Sequence, residues 1–275
     1  GDRRIMSVTI HPTAIVDPKA ELAGGVEIGP FAIIEANTII GEGTKVMQNA
    51  FIASGARIGK NCVIHPSAVI ANVPQDLKFK GTEKTFVEIG DNTTIREFAT
   101  LHRATIHEAK GNSGTKDGVT RVGSNCLIMA YAHVAHDCFV GDNVILANAV
   151  QMGGHTTIGY HVTIGGITGI HQFSQIGAHA MVGAGQTIVK DIPPYSLIAG
   201  SRSTFAGINR IGLMRRGFSE EAVRKISKAY KLLYNSGLNF TDAIREMEST
   251  PEFAAEECKL ITEFFRNSDR GVIGR

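Results

Sequence analysis

The chain is 275 residues long, 43% hydrophobic and 20% charged, with a formal net charge of +2. That balance supplies no global pull toward nucleic acid or a membrane surface, so any charged partner must be met by a local patch. No apolar run approaches the roughly 20 residues needed to cross a bilayer, and the N-terminus lacks the apolar core of a signal peptide, so the expected compartment is the cytoplasm. Residues 1–9 read as an extension, with Met6 the expected natural start, because regular patterning begins only at Ile10. Cys62, Cys126, Cys138 and Cys258 form no CxxC pair and read as buried structural thiols rather than metal or redox groups.

From residue 10 an aliphatic residue recurs at every sixth position: Ile10, Val16, Leu22, Ile28 and onward without a break to Ile64 and Ile70. The period resumes at Ile89, Ile95 and Leu101, and again from Val122 through Ile128, Val134, Val140, Leu146 and Met152 to Val182 and Ile188. All 26 such positions are apolar. At the background frequency, chance would produce this on the order of 10⁻¹⁰ of the time, before allowing for choice of register. Four places on stands a small or β-branched residue, as at Ala32, Thr44, Cys62, Ala132, Cys138 and Val162. Glycine often follows the aliphatic position, as in Ile40-Gly41 and Ile158-Gly159. One large and one small inward residue per short strand, with glycine near the corner, describes a parallel β-helix; a period of six drifts off an α-helical face. The pattern resembles the hexapeptide-repeat acyltransferase superfamily. Its prisms are left-handed and mainly β, with three hexads per coil, which implies that residues n and n+18 lie on neighbouring strands.

The prism is expected over residues 10–192, interrupted by polar loops at 73–88 and 107–121. After Asp191-Ile192-Pro193-Pro194 the hexads stop, and a small α-helical C-terminal domain is expected over 193–275. Ser219 caps its first helix, which opens on Glu220 and Glu221, turns Val223, Ile226, Tyr230 and Leu233 inward and stops at Gly237. A shorter helix follows Thr241, and a third starts at Thr250-Pro251 with Phe253, Leu260, Ile261 and Phe264 inward.

Four of the ten histidines, His133, His136, His155 and His171, fall within about two coils. His136 lies between the inward Val134 and Cys138 and should point outward. Adding 18 reaches Gly154, and 18 more reaches Gln172; Asp137 stacks likewise on His155, and His171 lies beside Gln172. A general base, a backbone N–H free of side chain and an amide in one column suit acyl transfer.

The runs AHVAHDC at 132–138, GGH at 153–155, IHQF at 170–173, QDLK at 75–78, DIPPY at 191–195 and GINRIGLMRRGFS at 207–219 are similar to the UDP-N-acetylglucosamine O-acyltransferase family, which opens lipid A synthesis. The resemblance covers the chain from about His11 to Arg270. It implies a homotrimer that takes an acyl chain from acyl carrier protein and places it on the 3-position of UDP-N-acetylglucosamine, with no metal or other cofactor. It further implies His136 as general base, Asp137 as its orienting carboxylate and Gly154 N–H as oxyanion donor. Gln75, Asp76, Lys78, His133 and His155 would meet the sugar and its diphosphate; His171 and Gln172 would line the site. Asn209, Arg215 and Arg216 would hold nucleotide or acyl groups. Ala184 stands where many such enzymes carry glycine and where a residue ends the acyl cleft, acting as a ruler of chain length. Acyl length, 3-hydroxylation of the donor and a 3-hydroxyl or 3-amino acceptor all stay open.

Two alternatives share the prism. A zinc enzyme of the γ-carbonic anhydrase type uses three histidines across an interface, at a spacing unlike His133 and His136. The N-acyltransferase of the same pathway carries an additional domain ahead of its prism, whereas hexads begin here at residue 10. A non-enzymatic scaffold would leave the His–Gly–Gln column and QDLK without a purpose.

Overall fold

The computed structural model of the chain describes residues 7–106 and 111–274. The hexads fold into short strands, most of two residues, distributed over three sheets of eleven, nine and eight strands. Every third strand joins the same sheet, so each coil contributes one strand to each of three walls. Ile15 pairs with Ile33 and Ile33 with Phe51, while Val16 aligns with Ile34 and Ile34 with Ile52, all in parallel. This is a left-handed parallel β-helix.

The composition explains the shape. All of the aliphatic hexad positions except Ile10, Val16 and Leu22 are buried, forming continuous columns of Ile, Val and Leu inside the prism. Fully burying one such side chain is worth about 1.5–3 kcal/mol, and the columns repeat that contribution coil after coil. The small position is buried as well, at Ala32, Ala50, Cys62 and Ala132. Where it is threonine, the hydroxyl finds a carbonyl: Thr44 Oγ1 donates to Gly59 O at 2.8 Å. Most corners pass through the left-handed region, often on Asn, which tolerates it better than most residues. Coils approach so closely there that a Cβ on Gly41 would lie 2.6 Å from the Gly59 carbonyl carbon. All four cysteines are free and buried, and burial pushes Cys138 up to about 12 and Cys126 up to about 11, leaving both as inert thiols.

The two interruptions are displaced from their expected bounds. Residues 86–88 and 119–121 belong not to loops but to four-residue strands, Phe86–Ile89 and Val119–Val122, paired along their whole length. Because the excursions leave neighbouring coils, their returning limbs lie side by side and extend the third sheet outward. Stacking continues across both interruptions, Ile58 to Ile89 to Val122, so the core does not register the inserted chain. Residues 107–110 of the second loop lie outside the described residues.

The C-terminal region departs from an all-helical expectation. It opens with two strands, Ser196–Ala199 and Thr204–Ile208, which extend the first sheet; the second runs antiparallel and closes the open end of the prism. Four helices follow: α1 (Arg210–Arg215), α2 (Glu220–Asn235), α3 (Phe240–Ser249) and α4 (Glu256–Arg266). Helix α1 was not foreseen, since six residues carry too little periodicity to show. Helix α2 matches its expected cap and inward face: Ser219 Oγ accepts from Ala222 N–H, and Val223, Ile226, Tyr230 and Leu233 are buried. The expected third helix is a 3₁₀ turn at Pro251–Phe253 followed by α4, and Phe265 rather than Phe264 packs against the core. No helix among the described residues is long and apolar enough to cross a membrane.

Candidate active site

Where the chain turns from the second sheet into the third, three successive coils place Asp137, His155 and Phe173 in the left-handed region, at φ 58°, 57° and 63°. The Phe173 ring stacks on His155 at 4.7 Å, and His155 meets His136 edge-on at 5.2 Å. His136 Nδ1 lies 2.8 Å from Asp137 Oδ2. The Asp137 carboxylate is 1% exposed, and burial this complete demands donors on every side. Thr105 supplies two of them: its N–H reaches both carboxylate oxygens, at 3.0 and 3.1 Å, and its hydroxyl donates to Oδ2 at 2.7 Å. The Asp137 N–H in turn donates to Thr120 Oγ1.

Gly154 lies directly beneath the His136 ring. A Cβ there would fall 2.5 Å from His136 Cε1 and 2.6 Å from Nε2, so only glycine lets the imidazole rest over this strand. With Nδ1 tied to the carboxylate, Nε2 is left for chemistry.

A cavity of about 420 Å³ opens above this column, lined among others by Gln75, His102, His133, His136, His171 and Gln172, with Gly154 in its floor. Six of the residues picked from sequence therefore share one cleft. His133 is fixed by a 2.7 Å hydrogen bond between Nδ1 and Thr100 Oγ1, and burial, reinforced by His136, lowers its pKa. Two residues of the site went unnoticed in the sequence. His102, beside His133 at 4.8 Å, is pushed down to about 4 by burial and by the neighbouring His133 and His136, so it is neutral at physiological pH. Thr105 is the other. Asp76 accepts from the Lys78 N–H in a local turn next to Gln75, and Lys78 is exposed; neither lines the cleft.

The remaining expected residues lie on other edges of the prism. Between the third and first sheets, His179 stacks on His161 at 5.1 Å and on Tyr195 at 5.6 Å, and Arg216 stands close by. Asn209 is engaged structurally: its Oδ1 caps α1 at the Gly212 N–H, and its Nδ2 donates to the His179 carbonyl at 2.9 Å. Arg215 is exposed on the same helix. Ala184 is exposed at a third edge, between the first and second sheets. A larger concavity, about 830 Å³, lies along the outer face of the third sheet between Phe86, Arg121, Phe139 and Tyr160, away from the histidine column.

Residues 191–273 match the family described as Udp N-acetylglucosamine O-acyltransferase, Domain 2, and residues 37–72 and 120–154 match the bacterial transferase hexapeptide repeat. The acyl-[acyl-carrier-protein]--UDP-N-acetylglucosamine O-acyltransferase of Janthinobacterium sp. (strain Marseille) is 48% identical over 268 residues, 96% of this chain and 98% of that protein. The chain belongs to the UDP-N-acetylglucosamine O-acyltransferase family. Its relative of the same name from Thiobacillus denitrificans is also 48% identical, over 96% of this chain and 99% of the other. The solved structure of LpxA, a UDP-N-acetylglucosamine acyltransferase from Bacteroides fragilis, superimposes with a TM-score of 0.90 at 42% identity, covering 96% of this chain and all of that one. LpxA from Acinetobacter baumannii gives a TM-score of 0.90 at 40% identity, over 96% of this chain and 99% of the other.

These matches give no support to the zinc-enzyme or N-acyltransferase alternatives. Distance alone would allow His136, Asp137 and His155 to hold a cation, since their donor atoms lie within 4.8 Å of one another. In this acyltransferase fold, however, the carboxylate is already filled by the Thr105 N–H, the Thr105 hydroxyl and His136 Nδ1, which a metal would have to displace.

Proposed function

We propose that this protein transfers an acyl chain from acyl carrier protein to the 3-position of UDP-N-acetylglucosamine, the first step of lipid A synthesis, with His136 as general base. The observation that carries the site assignment is the His136–Asp137 pair lying over Gly154 in the floor of a polar cleft. The Asp137 carboxylate holds Nδ1, so Nε2 accepts the proton of the sugar 3-hydroxyl as its oxygen attacks the thioester carbonyl. The tetrahedral oxyanion is met by the Gly154 N–H, a contact typically worth ~3 kcal/mol. Collapse expels the carrier thiolate, which takes the proton back from His136, so base and acid are one residue. His133, His171, Gln172 and Gln75 line the acceptor side; Asp76 and Lys78, in the turn next to Gln75, would meet the diphosphate.

A homotrimer is part of the same reading. The column containing His136, the cluster around Arg216 and the ruler position Ala184 occupy three different edges of one prism, and the cleft over His136 is partly open to solvent. Packing three prisms about an axis brings unlike edges together and supplies a second wall, from which Arg215 and Arg216 would reach the nucleotide. Arg202, Arg210 and Lys190 near the prism end would receive the acidic carrier protein. Four free, buried thiols fit a reducing, cytoplasmic setting. The deciding experiment incubates the protein with acyl carrier thioesters of graded length and with UDP-N-acetylglucosamine or its 3-amino analogue, reading products by mass spectrometry. A 3-O-acyl product from the first acceptor is expected; no acyl transfer to either sugar would overturn the proposal.

A further inference from the structure

The buried carboxylate of Asp137 is served mainly from outside its own coil. Thr105 comes just before the second excursion, 32 residues upstream, yet gives Asp137 both its backbone N–H and its hydroxyl. The returning limb closes on the same turn: the Thr115 N–H donates to the Asp137 carbonyl at 2.8 Å, and the Gly114 N–H to Thr157 Oγ1 at 2.6 Å. Gly114, at φ +71°, passes so near that a Cβ would lie 2.5 Å from the Asp137 carbonyl oxygen. Farther out, the Asn112 N–H donates to Asp269 Oδ2 and its Nδ2 to the Asn267 carbonyl, so this limb is tied down at both ends. The Thr105 hydroxyl and His136 Nδ1 converge on a single oxygen, Asp137 Oδ2, at 2.7 and 2.8 Å.

We propose that Thr105 is a positioning residue for the His136–Asp137 pair, its hydroxyl and N–H fixing Oδ2 where it orients the imidazole and moderating how strongly that oxygen draws on it. The inference rests on the reading of His136 as general base. Asp137 stands at a left-handed corner, and the donors that hold its carboxylate beside His136 come from Thr105, outside that turn. A second donor on Oδ2 also shares its charge, so removing the hydroxyl leaves a stronger acceptor facing Nδ1–H and favours the imidazolium. A base must be neutral to act; the acid limb of the kcat/KM profile then moves to higher pH. Among the described residues, the titratable groups facing the pair are His155, His133, His102, His171 and Cys138.

Thr105→Val keeps the shape and the N–H but deletes the hydroxyl, and Thr105→Ser restores it. The expected result for Val is a fall of about tenfold in kcat with KM nearly unchanged, an acid limb displaced upward by about half a pH unit, and recovery of both in Ser. A Val variant with kcat within twofold of wild type and an unmoved limb overturns the proposal. If Val does not fold, Thr105→Ala, which admits water, is read by the same two criteria. Failure of both to fold would make Thr105 a structural residue and also overturn it. His136→Ala run alongside separates the two readings: if it keeps full turnover the base assignment fails, whereas if it is inactive while Val is normal only the Thr105 role falls.

Discussion

Two corners of the same prism carry stacked histidines and differ in what they can do. At the edge between the second and third sheets, His136 and His155 flank a carboxylate, and a glycine below leaves room for a ring to face a cleft. At the edge between the third and first sheets, Asn143, His161 and His179 repeat the left-handed column, but Asn143 stands where the other column has Asp137. His179 there is held among Tyr160, Tyr195 and Phe218 and is pushed down to about 4 by burial, aided by His161 and Arg216. The backbone is nearly the same, but the positions of His136, Asp137 and Gly154 are taken at the other edge by Asp142, Asn143 and Tyr160, so no imidazole there rests over a glycine beside its own carboxylate. Histidine count in a sequence therefore says little until the partner across the turn is known.

The contrast is broken most severely by exchanging the rings for alanine or an amide. His136→Ala should lower kcat by at least ~10²-fold with folding intact, since general-base catalysis typically contributes ~10²–10⁴. His179→Gln should change kcat by less than about threefold under the same steady-state assay, and equal losses in the two variants would erase the distinction. Gly154→Ala should approach the first effect, about 10–100-fold in kcat, because its methyl would occupy the place of the imidazole edge; wild-type turnover there would mean that the ring does not work in this position.

A stability measurement sharpens the other half of the comparison. The folded-state pKa of His102 and of His179 is depressed to about 4, below the ordinary value of 6.5. Between those limits the unfolded chain binds more protons, so the stability each neutral ring contributes is complete above pH ~6.5 and is lost as pH falls toward 4. For His179 the loss between pH 7.5 and 4.5 should be about 2–3 kcal/mol. Urea denaturation at the two pH values should show that dependence, reduced by a comparable amount in His179→Gln; an unchanged pH dependence would mean that His179 is not held neutral. The smallest effect concerns the third edge. Ala184→Met should shift acyl preference toward shorter thioesters and Ala184→Gly toward longer, with two carbons worth ~1.6 kcal/mol, about tenfold in selectivity, and no change in KM for the sugar. If the Met variant keeps the wild-type chain preference, the ruler lies elsewhere.

The hexads made the prism legible because each coil repeats one steric demand, an aliphatic residue stacked on its own kind. The column of His136, Gly154 and Gln172 followed from the same spacing of 18, with no structure needed. Thr100, His102 and Thr105 were hidden for a related reason. The second excursion intervenes, so Thr100 meets His133 across 33 residues and Thr105 meets Asp137 across 32, and the spacing rule passes over them. Had the inserted chain been subtracted first, Thr100 would have stacked on His133 by arithmetic. Helix α1 and the closing hairpin escaped because each is short and held by tertiary contacts, among them those of Asn209 with the Gly212 N–H and the His179 carbonyl. Arg216 and Ala184 carry no signal of the edge on which they lie beyond their residue number.

The three-walled coil also governs which changes of length the chain can survive. Duplicating or deleting a whole coil returns every later side chain to its own wall, altering only height along the axis. Gaining or losing a single hexad inside the prism would instead rotate everything downstream by a third of a turn, parting Thr105 from Asp137 or His136 from Gly154 although no functional residue had been touched. Extra chain looped out at a corner escapes this penalty, as the uninterrupted pairing of Ile58, Ile89 and Val122 demonstrates. Corner excursions therefore leave the register intact, and Thr105, just ahead of one, stays beside Asp137 on the next coil.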